Sequence, residues 1–216
     1  MKNLHFITAA LLVAVLSQAG CLSSGLGKKK QSDDQLLFSQ AQKALDARDH
    51  EDAIRFFQLF TKKFPESEEY SWALQRLGES FEGLLEAEYL RRIENGEPEP
   101  AARAAFTDRY EHYACWDQST ARLRYNLSHY KEVLEKFPDS PIADESAYRS
   151  VPWQQNYHAK PEGPLLELEH LEDIIERYPS TSFRYEILYK MAYRCHVLYE
   201  IYSFSHNTPT RNREAA

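Results

Sequence analysis

The spacing of apolar residues changes once along this chain, near residue 35. Before that point Phe6 to Leu16 is an unbroken run of eleven residues in which only Thr8 is polar. A membrane-spanning helix needs roughly 20 apolar residues, so the run is too short to span. After residue 35 apolar positions recur at helical spacing. Leu37, Ala41, Ala44 and Leu45 form an i, i+4, i+7, i+8 stripe. A polar turn at Arg48-Asp49-His50 follows, and then a second stripe of Ala53, Ile54, Phe57, Phe60 and Phe64. The small residues Ala41, Ala44 and Ala53 allow two antiparallel helices to approach closely. The same spacing predicts helices over Tyr70–Ile93, Ala101–Trp116 and Ala121–Phe137, and a short one within Ile142–Tyr157. It predicts a last pair over Leu165–Tyr178 and Phe183–Tyr202. Breaks fall at Glu94–Pro100 and at His158–Pro164, both rich in Pro and Gly.

One step recurs at the end of an apolar stripe. It reads Lys63-Phe64-Pro65-Glu66-Ser67, then Lys136-Phe137-Pro138-Asp139-Ser140, then Arg177-Tyr178-Pro179-Ser180-Thr181. A basic residue in the last turn complements the helix dipole, and Pro two positions on stops the helix. The hydroxyl residue beyond it is suited to cap the next helix. The prolines stand 73 and 41 residues apart. Two units of about 36 residues would fill the first interval, so one copy there is expected to have lost its signature. Composition agrees with helix: beyond residue 20 there are three Val (Val133, Val151, Val197) and twenty Leu.

Met1 to Gly20 has the form of a signal peptide, with Lys2 as its one charge and small residues at Ala19 and Gly20. Cys21 follows directly. Ser17-Gln18-Ala19-Gly20-Cys21 resembles a bacterial lipobox, with Gln18 where an aliphatic residue is usual. The resemblance implies that Cys21 carries diacylglycerol, becomes the N-terminus and is N-acylated. Three acyl chains make a stable anchor where one is marginal. An Asp after the Cys would favour the inner membrane. Leu22 stands there, so the resemblance implies the outer membrane. The same residues also suit an ordinary secretory signal cut near Ala19 or Gly20. Leu22 to Asp34, with Ser23-Ser24-Gly25 and Lys28-Lys29-Lys30, lacks apolar periodicity and reads as a flexible tether. The expected organisation is therefore a signal peptide at 1–20 and a lipidated Cys and linker at 21–34. A helical repeat domain at 35–206 and a polar tail at 207–216 complete it.

The chain carries 26 Lys+Arg and 33 Asp+Glu, for a net charge of -7. Removing residues 1–20 removes Lys2 alone among the charges, so 25 basic and 33 acidic residues remain, a net of -8. That acidity argues against a general nucleic-acid binder, which needs a basic face for phosphates. Seven Gly are too few for phosphate loops or turn-rich β folds. Nucleophile elbows, Walker loops, zinc-protease helices and paired CxxC motifs are all missing from the sequence. No catalytic residue, metal or cofactor is expected, apart from covalent lipid on Cys21. His112-x-x-Cys115 and Cys195-His196 raise a metal site. Neighbouring helix residues point about 100° apart, and a structural site needs four converging ligands. Export would permit a disulfide between Cys115 and Cys195. Cys195 also lies on the stripe Ile187, Met191, Cys195, Leu198 and Tyr202, where a buried free thiol is expected; the sequence leaves both readings open. Asn126-Leu127-Ser128 matches a glycosylation sequon but falls within an expected helix and a bacterial-type chain. Fourteen Tyr and eleven Phe suit packing between helices, with some available for a groove. Arg184, Tyr185, Tyr189 and Arg194 on the last helix are the candidate partner-binding set, since Tyr and Arg dominate binding hot spots.

The order Ala41, Ala44, Ala53, Phe57, Pro65 resembles a tetratricopeptide (TPR) repeat, in which a small residue and a terminal Pro likewise stand twelve apart. Leu37 takes the place of the usual first-helix aromatic. About five such helix pairs fill residues 35–205. The fold class expected is thus all-α, an α-solenoid of TPR-like pairs. Lipobox, tether and helix pairs ending in basic-aromatic-Pro-x-Ser together resemble the BamD family of outer-membrane lipoproteins. Ala41–Ser67, Ala121–Arg149 and Leu168–Tyr193 carry the likeness; the Glu94–Trp116 stretch has no counterpart in it. It implies a non-enzymatic scaffold, lipid-anchored at the outer membrane and facing the periplasm. Its implied partners are barrel-assembly subunits and unfolded outer-membrane proteins, not nucleic acid. A different TPR lipoprotein, an adaptor for cell-envelope, pilus or secretion-system assembly, is the alternative.

Overall fold

The computed structural model describes residues 32–117, 122–152 and 160–207, with side chains as far as Ser203. The signal peptide, Cys21, most of the tether and the tail after Asn207 lie outside the described residues. The first helix, α1 (Asp33–Asp46), takes Asp33 and Asp34 from the expected tether into its first turn, where two carboxylates complement the helix dipole. It ends with Arg48 in the left-handed region, φ 59°. The Arg48 N–H donates to Leu45 O (2.8 Å) and the Asp49 N–H to Ala44 O (2.9 Å), a Schellman closure. Asp49 then caps α2 (His50–Lys63), its Oδ1 accepting from the Asp52 N–H at 3.2 Å.

The recurring step builds the same joint three times. Phe64 ends α2, and Phe137 and Tyr178 end two later helices, with φ/ψ of -129/58°, -135/50° and -123/67°. Each aromatic N–H donates to the carbonyl four residues back, at 2.8–2.9 Å. The following Pro excludes the α conformation at each of them. Three residues on, the N–H groups of Ser67, Ser140 and Thr181 return to the aromatic carbonyls at 3.0–3.1 Å. Two of the hydroxyls then reach back to an earlier helix: Ser67 Oγ donates to Asp34 (2.8 Å) and Thr181 Oγ1 to Asp144 (2.9 Å). Ser140 Oγ is buried without such a partner.

The expected long helix is present as α3 (Tyr70–Leu84), a π-helical turn (Leu85–Leu90) and α4 (Arg91–Glu94). Gly96, at φ 85°, closes it with the same Schellman pair that Arg48 makes. The chain returns through α5 (Glu99–Tyr110). It then departs from expectation. Residues 114–116, assigned to a helix by spacing, belong to β1 (Ala114–Asp117). The start of the expected Ala121–Phe137 helix is β2 (Arg122–Tyr125), antiparallel to β1 with Cys115 opposite Arg124. Leu123, Leu127 and Tyr130 fit a helical stripe. Leu123 and Tyr125, buried between outward Arg122 and Arg124, fit a period of two equally well. Strand pairing decides, and Leu127 in the left-handed region (φ 63°) separates β2 from α6 (Ser128–Lys136).

Helices α7 (Ala143–Arg149), α8 (Glu162–Arg177) and α9 (Arg184–Asn207) follow. In the row α1, α2, α3, α6, α7, α8, α9 each helix after the first packs on the one before it. Helix α6 therefore lies against α3, and residues 85–127 are an excursion between them. The 73-residue interval holds this insertion, where a repeat without its signature was expected. The described residues are predominantly helical, as expected, with one two-stranded hairpin. The main core joins both parts: Phe57, Phe60, Leu77 and Phe81 pack with Tyr89, Phe106, Leu123 and Tyr130. Gly78 lets α6 approach, since a Cβ there would collide with the Tyr130 ring. A second core of Val151, Leu171, Ile174 and Ile187 holds α8 and α9.

Candidate functional site

Two surfaces stand out. The first is a cleft of about 540 Å³ where the insertion meets the helix row. Cys115, Asp117, Arg122 and Arg124 of the hairpin form one wall, and Leu85 and Leu90 of the π-helical turn line the cleft with them. Leu127 and Lys131 come from the start of α6, and Arg149, Val151 and Pro152 from the end of α7. Its charged lining comprises Arg122, Arg124, Lys131 and Arg149 against Glu82 and Asp117, four cations to two carboxylates. That local excess runs against a chain net charge of -7. Leu127, a bulky residue held at positive φ, lines the same cleft; strain of this kind collects at functional sites.

A polar network fixes the cleft floor. Glu82 accepts from the Tyr130 hydroxyl (2.9 Å) and from Arg149 Nη1 (3.2 Å). Arg149 also pairs with Glu79 (3.4 Å) and Glu145 (2.9 Å), so one guanidinium ties α3 to α7. Arg76 Nη1 donates to both oxygens of Glu79 at 2.6 Å. Ser146 donates to Gln75, both fully buried. Burial raises the Glu82 carboxyl above its usual range, against the lowering pull of Tyr130 and Arg149. Burial also pushes the Tyr130 hydroxyl up, with the neighbouring Glu82 charge adding to it. Beside the network, His129 stacks with Phe81 (5.6 Å) and Tyr113 (5.1 Å), its Nδ1 2.6 Å from the Tyr125 hydroxyl. Burial lowers His129 to about 4, so the ring is neutral at pH 7.

The second surface is the outer side of α9. Ile187, Met191, Arg194 and Leu198 face inward at helical spacing, while Tyr185, Leu188, Tyr189, Tyr193, Tyr199 and Tyr202 are exposed. The candidate set splits accordingly. Tyr185 and Tyr189 lie on the exposed side, and Arg184 there donates to Pro179 O at 3.2 Å. Arg194 does not join them: it is buried and ion-paired to the fully buried Glu167 of α8. Nine residues after Tyr185 is about two and a half helical turns, which carries Arg194 to the opposite side of the helix.

Cys115 and Cys195 are both free and exposed. The disulfide is not formed, and Cys195 is not the buried thiol expected from its stripe. Among the described residues no three His, Cys, Asp or Glu side chains converge as metal ligands do, and no helix is long and apolar enough to cross a membrane. Asn126 fastens the turn into α6: its Nδ2 donates to His112 O (2.7 Å) and its Oδ1 accepts from the Ser128 N–H (3.0 Å). Sequence reasoning missed Glu79, Glu82, Lys131 and Arg149. Glu79 and Glu82 are an ordinary i, i+3 pair, and their cation stands 67 residues after Glu82. In comparisons with known proteins, the chain matches no family model and no curated protein.

Proposed function

We propose that this protein is a lipid-anchored, non-enzymatic adaptor of the BamD type. Cys21 carries the lipid and holds the protein at the periplasmic face of the outer membrane. A TPR-like α-solenoid recognises protein partners there: subunits of the β-barrel assembly machinery and unfolded outer-membrane proteins. The observation that carries the reading is the joint built three times, at Phe64-Pro65, Phe137-Pro138 and Tyr178-Pro179, with matching backbone angles. Such joints stack helices in series, and stacked helices offer an extended surface to a peptide or a folded partner. The cleft between insertion and helix row is the partner site, with cationic and apolar lining together.

The insertion at residues 85–127 favours a second reading, an adaptor for another envelope, pilus or secretion assembly, because it reshapes the surface that the BamD type presents. Tagged full-length chain captured from membranes in mild detergent separates the two. Co-purification with a large barrel protein bearing periplasmic domains supports the BamD type. Capture of a different envelope assembly supports the second reading, and capture of no protein overturns both.

A further inference from the structure

Helix α8 sits between α7 and α9; α9 packs on α8 and also touches α7, where the Tyr148 hydroxyl donates to Glu186 at 2.5 Å. Yet α9 is apolar on both sides. Its exposed side runs Tyr185, Leu188, Tyr189, Ala192, Tyr199 and Tyr202, at the i, i+3, i+4, i+7 spacing of a helix made to be covered. Exposures of its large residues range from 44% at Leu188 to 87% at Tyr185. At 150–250 Å² per aromatic side chain, these residues and Tyr193 present roughly 700 Å², close to the ~800 Å² per partner of a standard interface. A patch of that size on a helix marks an interaction site.

The charges beside the stripe indicate what covers it. Arg184 and Lys190 balance Glu186 and Glu200, so the α9 surface is locally neutral. The adjacent α8 is strongly acidic, with Glu162, Glu167, Glu169, Glu172, Asp173 and Glu176 against Arg177. A neutral apolar face offers no field to select a charged partner, but two copies of it meet without repulsion. Ala192 sits midway between Tyr185 and Tyr199, seven residues from each. A two-fold axis at Ala192 would cross the helices where the side chain is smallest and set Tyr185 of one copy against Tyr199 of the other.

We infer that the outer face of α9 is the interface between two copies of this chain, joined antiparallel through the Tyr185–Tyr199 stripe. The cleft remains open in each copy for other partners. The test is sedimentation equilibrium of the full-length chain in mild detergent, with Tyr189→Glu and Leu188→Glu variants checked for native helix content by circular dichroism. The expected result is a dimer with Kd of order 10 μM or tighter, weakened at least tenfold by either substitution. Chance pairing within a micelle through the lipid would be unaffected by them. A monomer throughout, or a dimer that both variants leave intact, overturns the inference. Partner capture from membranes should survive Leu188→Glu, so its loss would also overturn it, while failure of the unsubstituted chain to capture any protein counts against the adaptor reading alone.

Discussion

Arg48 and Gly96 close two helices with the same pair of hydrogen bonds, at φ 59° and 85°. An L side chain in this region costs roughly 1–2 kcal/mol, and glycine removes that cost while losing more chain entropy. Arg48→Gly is therefore expected to raise stability by about 1 kcal/mol, and Gly96→Ala to lower it by a similar amount. Urea unfolding midpoints measure both; a destabilised Arg48→Gly would contradict the closure. His129 sets a pH dependence. Its pKa is about 4 in the fold and near 6.5 unfolded, so the unfolded chain binds the extra proton between those values. Its contribution is present above pH 6.5 and is lost as pH falls toward 4, amounting to about 3 kcal/mol. His50, also lowered by burial, acts in the same direction. Glu82, raised by burial, acts in the opposite direction as pH rises from its unfolded value. The melting temperature should fall between pH 7 and pH 4.5, and the fall should shrink in His129→Gln. A flat profile would show that the ring is not buried as described.

At the scale of elements, the helices with long apolar stripes were legible: α1, α2, α3, α8 and α9 lie where spacing put them. So were the three stops, because basic-aromatic-Pro acts locally through the dipole and the proline ring. The hairpin was not legible. Leu123 falls on both periods, and the choice rests on pairing β1 with β2 and on Phe81 stacking with Tyr125 at 5.8 Å. The side of α9 that each residue takes was legible only in part. Both sides are apolar, so Cys195 fell on the wrong one, and Arg194 found its carboxylate on α8. The α3–α6 contact makes a prediction of its own. Gly78→Ala would push a Cβ into the buried Tyr130 ring. It should cost about 1–3 kcal/mol, as overpacking does, despite the better helix propensity of Ala. Calorimetry showing a gain would mean that α6 does not press on α3 there.

The chain combines a short apolar run near residue 10, a row of helices in series and an insertion that folds into the same core as the first helices of that row. The row follows from local signals in the sequence. The cleft does not, because Glu82, Lys131 and Arg149 come from three helices and meet only in the fold. If Cys21 carries the anchor, Cys21→Ala should release the chain from membranes into the soluble periplasmic fraction. Unchanged membrane fractionation would argue against lipidation. The adaptor role is tested most directly at the cleft. A photo-crosslinking amino acid placed at Lys131, on the rim of the cleft, reports what occupies it in intact cells. The account predicts a covalent adduct with another envelope protein, lost when the chain is unfolded before irradiation. Irradiation that leaves the membrane-bound chain without any protein adduct at Lys131 would contradict it.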